Sequence, residues 1–318
     1  MVGASPATAL SDSCSTLSAS ESLAGTAPYA STWIAIEQPG SWGRDALRSD
    51  ALPNGVGSTL ADRAKGANVG VLLVRHPDRP RQLADGDGRT VWIAHIGTHT
   101  LIRLTINDCR DLLSWDLPAL AAGDLMTALR GTASVSAPTQ APDPLVLVCC
   151  HAARDACCAV HGRALYDALH SQSSPEGSQY LWQCSHLGGH RFAPTMLLLP
   201  LGAVYGRVTL PIAQTAITMA TKGQLLLDQC RGRTHGPAPV QVAELDLRTT
   251  LDCPGATDLH FVQESAQDRS AVVVAHHRDG RSWRLTLGRE QTDLSRPVSC
   301  GADPELAQNW QVTNPSQR

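Results

Sequence analysis

The sequence predicts an α/β protein with two halves, each a central mixed sheet flanked by helices, and a small C-terminal α+β module. Continuous aliphatic runs at residues 69–75 and 145–149 are typical of buried strands. One order of elements (strand, helix, strand, strand, strand, helix) fits both the first and the second half. At 318 residues, with 42% hydrophobic and 17% charged residues, the chain has enough apolar surface for more than one packed module.

In the first half, we expect strands at residues 33–38 and 69–75, separated by a short helix at 59–67. The segments 90–96 and 101–106 form a predicted hairpin. Apolar residues at helical spacing then predict a helix over 107–122, which Pro118 is expected to end early.

In the second half, the predicted strands are 145–149, 180–184, 195–199 and 203–208, and the predicted helices are 156–170 and 211–228. A right-handed strand–helix–strand crossover followed by a hairpin and a helix is the thioredoxin pattern. We therefore expect two thioredoxin-like halves, at residues 29–140 and 141–231, related by duplication.

The predicted C-terminal module spans residues 232–318. It begins with a turn-rich linker at 232–239 and a helix at 240–251. A hairpin over 271–276 and 282–287 turns at Asp279-Gly280, a favourable hairpin dipeptide, and a short helix is expected at 304–310.

Residues 1–28 are rich in Ser and Ala, lack the features of a signal or transit peptide, and are predicted to be a disordered tail. No apolar run has the length needed to span a bilayer, so we expect a cytoplasmic protein without a membrane partner. The net charge of −3 offers no global attraction for nucleic acid.

The chain has ten cysteines, and in a cytoplasmic protein their thiols stay reduced, which favours metal binding or redox chemistry over disulfides. Half of them cluster, namely Cys149, Cys150, Cys157, Cys158 and Cys184. The other five are scattered, and we interpret them as small buried apolar side chains.

The clustered cysteines lie where a predicted strand ends and a helix begins. Asp155 is a good N-cap and would put Cys157 and Cys158 in the first turn, where the positive helix end favours thiolate. His186 and His190 are separated by a segment containing Gly188-Gly189, which predicts a tight loop. Both loops leave the same end of neighbouring parallel strands and should converge. Such ligands suit an iron–sulfur cluster or zinc.

The cysteine segment, followed by His186-Leu187-Gly188-Gly189-His190-Arg191-Phe192-Ala193, resembles the sucrase/ferredoxin-like family of thioredoxin-fold ferredoxins. Weaker similarity extends over residues 33–43, 200–207, 231–233 and 296–301. The resemblance implies a [2Fe-2S] cluster in the second half, with Cys149 and Cys158 on one iron and His186 and His190 on the other. Cys150 and Cys157 stay open as alternative ligands. Around the ligands we expect Arg154, Asp155, Gly188, Gly189 and Arg191.

This ligand set implies a protein that carries single electrons between a reductase and an acceptor. We therefore expect an electron carrier rather than a stand-alone enzyme, and we assign no catalytic residues. Whether the protein forms a homodimer stays open. Imidazoles in place of two thiolates raise the potential, from roughly −400 mV in plant-type centres to about −150 to +300 mV in Rieske centres. A ring proton lost on oxidation would couple electron to proton transfer. In the first half, Arg75-His76-Pro77 takes the place of the histidine loop and is expected to support packing or docking.

Two other functions stay open from the residues alone. A Cys2His2 zinc site could cross-link the same two loops. A thioredoxin-like thiol oxidoreductase is suggested by the order of elements, although the Cys-x-x-Cys spacing is missing and vicinal cysteines form a strained disulfide. Sucrose hydrolysis, which the family name evokes, is disfavoured because no pair of catalytic carboxylates is identifiable.

Overall fold

The computed structural model describes residues 13–79, 83, 87–132 and 136–317. The strands are β1 (Thr32–Glu37), β2 (Val69–Arg75), β3 (Arg89–His95), β4 (Thr100–Ile106), β5 (Thr139–Gln140), β6 (Leu145–Cys149), β7 (Leu181–Cys184), β8 (Met196–Leu199), β9 (Ala203–Tyr205), β10 (Cys230–Arg233), β11 (Leu259–Ala266), β12 (Ser270–His277), β13 (Ser282–Pro297) and β14 (Pro304–Gln317).

The α-helices are α1 (Cys14–Leu17), α2 (Val56–Ala67), α3 (Leu117–Ala121), α4 (Leu125–Ala128), α5 (Arg163–Gln172), α6 (Pro175–Ser178), α7 (Leu210–Ala220) and α8 (Ala238–Leu251). Three 3-10 segments (Pro53–Gly55, Cys109–Leu113 and His190–Phe192) and a π-helical turn, Cys158–Gly162, complete the helical elements of the described residues.

In the described part of the chain, strands of both halves form one large mixed sheet in the order β10-β9-β8-β6-β7-β2-β1-β3-β4-β5. In the first half β1 is parallel to β2 and antiparallel to β3, which pairs with β4. In the second half β6 is parallel to β7 and antiparallel to β8, which pairs with β9. The halves meet where β2 and β7 run antiparallel, with Val74 opposite Cys184. The predicted mixed α/β class is therefore confirmed in its coarse form.

Alternation along the strands sends side chains to two faces of this sheet. One face carries a core shared by both halves, which includes Trp33, Trp92 and Trp182. The opposite face carries two separate cores. The first is covered by α2 and the short helices that follow β4. The second is covered by α5 and α7.

Two predicted helices are shorter than expected. Residues 107–122 form a 3-10 segment and then α3, because Asp108 and Asp116 each cap a new start with their side chains. Pro118 lies in the first turn of α3, so it begins this helix instead of ending an earlier one. The helix predicted over 211–228 ends at Ala220.

The C-terminal part departs from prediction at both ends. The expected linker at 232–239 begins inside the sheet, since β10 pairs with β9. Helix α8 and the β12–β13 hairpin, with its turn at Asp279-Gly280, are confirmed. Residues 304–310, predicted as a helix, belong to β14, which pairs with the long edge of β13. Strands β11 to β14 form a separate antiparallel sheet.

The N-terminal segment 13–28 is folded, which corrects the prediction of a disordered tail for the described part of residues 1–28. Ser13 caps α1, and Cys14 is fully buried. The Ala27 backbone N–H and C=O both bond to the Gln241 side chain. Residues 1–12 lie outside the described residues. Among the helices of the described residues, none has the length and apolarity to cross a membrane.

Candidate metal centre

Two neighbouring parallel strands bring the predicted ligands together. Cys149 ends β6, and its register partner Cys184 ends β7, so the loops that follow leave the same edge of the sheet. This convergence was predicted. The Sγ atoms of Cys149 and Cys158 and a ring nitrogen of His186 lie within 4.8 Å of one another.

Strand alternation separates Cys149 from Cys150. Cys149 lies in the shared core with Leu147, whereas Cys150 packs on the opposite face beside Leu165 and Tyr166. Of the two adjacent thiols, only Cys149 faces Cys158 and His186 in the described residues.

The start of the next helix carries Cys158 towards Cys149. Asp155 accepts a hydrogen bond from the Cys157 backbone N–H at 2.8 Å, as predicted for an N-cap. A π-helical turn follows, and Gly162 lies directly against the strand end. A Cβ atom at Gly162 would lie 2.0 Å from the Cys149 carbonyl oxygen, so only glycine permits this approach.

The histidines lie on the predicted tight loop. Gly188 and Gly189 have φ angles of +79° and +69°, which L side chains rarely adopt. The His186 and His190 rings are 5.0 Å apart between centroids, inclined by 31°. Within the described residues, His186 Nδ1 and both ring nitrogens of His190 have no hydrogen-bond partner despite their burial. Such nitrogens are free to act as ligands.

The local field favours an anionic sulfur at Cys149. Hydrogen bonds from the Cys158 thiol, from His186 and from the Leu187 and His151 backbone lower the pKa of Cys149, although burial opposes them. The hydrogen bond between the Cys158 thiol and Cys149, together with burial, raises the pKa of Cys158. Burial lowers the pKa of His190, which keeps its imidazole neutral, the form that binds metals.

Arg231 fixes the histidine loop and was not predicted as a site residue. Its guanidinium donates to the Gly188 carbonyl at 2.9 Å and to the Thr26 hydroxyl and carbonyl. Burial lowers the pKa of Arg231 to about 9. Arg231 could have been found from the sequence, because the segment Arg231-Gly232-Arg233 is one of those that resemble the sucrase/ferredoxin-like family.

The three charged residues expected around the ligands differ in their contacts. Asp155 Oδ2 lies 3.7 Å from His190 Nε2. Arg191 pairs with the buried carboxylate of Glu21 at 2.8 Å and stacks on Phe192, so its charge is already engaged. Arg154 is exposed and, with His186, lines an open pocket of about 190 Å³.

A second group of cysteines lies next to the first and was missed. The Sγ atoms of Cys14 and Cys157 are 3.6 Å apart, and Cys300 Sγ is 3.5 Å from each. The Cys14 thiol and Ser15 help to lower the pKa of Cys157 to about 5. Cys300 is exposed and Cys253 is only half-buried, which contradicts their interpretation as buried apolar residues, whereas Cys109 and Cys230 are buried as predicted.

Comparisons with known proteins identify the family to which the chain belongs. The family model described as sucrase/ferredoxin-like matches residues 23–232, and the chain belongs to this family. "Altered inheritance of mitochondria protein 32" from Meyerozyma guilliermondii is 32% identical over 101 residues, which are 30% of this chain and 36% of that protein. The chain thus matches about a third of that relative's length. No solved structure matches.

Proposed function

We propose that Cys149, Cys158, His186 and His190 hold a [2Fe-2S] cluster and that the protein is a one-electron carrier. The observation that carries this proposal is the convergence of two buried thiols and an imidazole within 4.8 Å, beside a second imidazole whose nitrogens have no hydrogen-bond partner in the described chain. Membership of the sucrase/ferredoxin-like family adds support. When bound, such a cluster accepts and returns one electron at a potential above that of all-cysteine centres.

The protein's own residues would tune this exchange. The backbone donors around Cys149 stabilise negative charge on its sulfur. Arg231 holds the histidine loop in place without donating to a ligand atom in the described contacts. Because the pKa of His190 is low, its free ring is neutral at physiological pH and ready to bind.

Partner access would be at His186, which is only partly buried, whereas His190 is buried. The pocket beside His186 is open to solvent, and its rim carries Arg44, Asp45 and Arg154. Close approach at this edge shortens the path for an electron. We therefore propose that the reductase and the acceptor use this face in turn.

We also propose that each half is thioredoxin-like. Two observations support the proposal: the halves have the same strand order, β2-β1-β3-β4 and β7-β6-β8-β9, and in each the third strand runs antiparallel to the first. Open α/β sheets bind ligands at the loops that follow the carboxyl ends of their strands, such as the loop after the first strand of each half. Cys149 lies at the start of that loop in the second half.

Anaerobic purification with iron, sulfide and absorption analysis tests the cluster. We expect two iron and two sulfide per chain, visible charge-transfer bands and a paramagnetic reduced state. A colourless protein with stoichiometric zinc at these four residues would instead identify the structural zinc site.

Histidine ligation is tested with the variants His186→Cys and His190→Cys. Both should keep a cluster with altered colour and a lower midpoint potential, because thiolate adds negative charge. The matched control is His260→Cys, an exposed histidine of β11 in the separate antiparallel sheet, which should leave the spectrum and the potential unchanged. Unchanged spectra in the first two variants would refute the assignment of these histidines.

A further inference from the structure

Beside the proposed cluster site lies a second, independent arrangement of sulfur ligands. Cys14 comes from α1, Cys157 from the turn that begins the helical segment after β6, and Cys300 from the loop between β13 and β14. The three sulfurs form a nearly equilateral triangle with sides of 3.5 to 3.6 Å. Three segments remote in sequence thus meet at one point.

These distances match a tetrahedral metal. Sulfurs bound to one zinc ion at about 2.3 Å lie roughly 3.7 Å from one another, from the tetrahedral angle. A fourth ligand is at hand, because Asp155 Oδ1 lies 3.6 Å from Cys300 Sγ and 3.9 Å from Cys14 Sγ. We propose that Cys14, Cys157, Cys300 and Asp155 form a zinc site distinct from the cluster site.

The alternative of a disulfide fits the geometry less well. A disulfide joins two sulfurs, whereas here each sulfur is equally close to both of the others, so one thiol would be left over whichever pair formed. A thiolate-binding divalent cation uses all of them together and releases the thiol protons to solvent.

The surroundings of Asp155 also favour a cation. Its side chain is buried, and among the described residues no arginine or lysine pairs with it. Its oxygens instead accept from the backbone N–H groups of Cys157 and Cys300, at 2.8 and 3.1 Å, which orient the carboxylate towards the sulfurs. A zinc ion would offset two of the four negative charges that three thiolates and the carboxylate carry, and the backbone N–H donors to Asp155 would stabilise part of the remainder.

The site has both an entrance and a scaffold. Cys300 is exposed, so an ion can reach the sulfurs from solvent. The Glu21 carboxylate binds Arg191 and Arg296, which ties the segment that follows Cys14 to the strand that precedes Cys300. A bound zinc ion would be a second link between the N-terminal segment and the C-terminal sheet.

Metal analysis of the full chain tests the proposal. Zinc and iron are measured in the same reduced, anaerobic sample, and we expect one zinc per chain. Cys14→Ser and Cys300→Ser should lower the zinc content about tenfold or more without changing the iron content. Cys253→Ser, a half-buried cysteine outside both groups, is the control and should change neither metal. Since Cys300 is exposed, its variant should fold normally.

The zinc X-ray absorption edge fixes the ligand shell. We expect three sulfurs at about 2.3 Å and one oxygen at about 2.0 Å. A shell of two sulfurs and two nitrogens would mean zinc in the cluster site and would overturn the proposal, as would zinc content unaffected by both variants or a disulfide among the three cysteines. In His186→Ala/His190→Ala, iron should be lost while zinc stays. Zinc without any iron in the native protein would refute the cluster alone.

Discussion

Replacing Glu21 by Gln should destabilise the protein strongly. Glu21 is 3% exposed and accepts two hydrogen bonds from Arg191, at 2.8 and 3.0 Å, and two from Arg296, at 2.7 and 2.9 Å. The neutral amide would leave the largely buried Arg191 guanidinium without a counter-ion and Arg296 with only the exposed Glu305. Breaking a buried pair costs roughly 3–5 kcal/mol. Because Arg296 keeps Glu305, we expect the low end, about 3 kcal/mol.

Glu305→Gln is the matched control, since it removes the exposed partner of the same arginine. Its side chain is 61% exposed, and a pair of this kind contributes about 0–1 kcal/mol. Both variants are compared with the native chain by denaturant unfolding, and limited proteolysis reports release of residues 13–28. Equal and small losses in the two variants would show that Glu21 does not hold the N-terminal segment.

The same carboxylate predicts a dependence on pH. Burial raises the pKa of Glu21, but Arg296 and Arg191 outweigh it and lower the pKa below its ordinary value of 4.5. A lowered folded-state pKa means that the contribution is complete above pH 4.5 and is lost as the pH falls through the folded value. Stability of the native chain should therefore drop more steeply on acidification than that of Glu21→Gln, and parallel curves would contradict this.

Three further predictions concern the site and the C-terminal part. If imidazoles bind iron, the midpoint potential falls as pH rises through the imidazole pKa range, and a flat potential argues against them. Gly189→Ala should lower the free energy of unfolding by about 1–2 kcal/mol through backbone strain. Its new Cβ would also lie 2.5 Å from the Arg231 guanidinium, so we expect a lower iron content. The control Gly223→Ala, with φ +68° and open space around the new Cβ, should show only the strain. Burial would raise the pKa of Glu244, but its cationic neighbours lower it to about 2, so Glu244→Gln should lose roughly 3 kcal/mol in urea unfolding, whereas exposed Glu176→Gln should lose almost nothing.

The sequence predicted best the elements that are buried on both faces. Strands β2 and β6 have the bounds that their aliphatic runs predicted, because an apolar run with no polar face fits the middle of a sheet. The sequence predicted residues 107–122 least well. The apolar spacing there indicates one helix, but Asp108 and Asp116 each cap a separate short helix.

The sequence predicted the ligands that follow two neighbouring strands, but not the cysteines that come from segments far apart in the sequence. Cys149, Cys158 and His186 converge because neighbouring parallel strands end together, which the order of elements already indicates. Cys14 and Cys300 are 286 positions apart, and nothing local links them. The Ser- and Ala-rich composition around Cys14 also predicted disorder, since partners as distant as Arg296 are invisible in a sequence window.

The antiparallel junction of β2 and β7 gives the sheet an approximate twofold axis between its halves. The carboxyl ends of β1 and β2 therefore face one edge and those of β6 and β7 the opposite edge. The loop that follows β1 nevertheless reaches the metal-binding edge, where the Gly43 carbonyl lies 2.8 Å from His151 Nε2, and where Arg44 and Asp45 line the pocket beside His186. A partner that docks beside His186, as proposed above, would therefore touch both halves at once, so substitutions in the loop after β1 would change recognition while leaving every ligand in place.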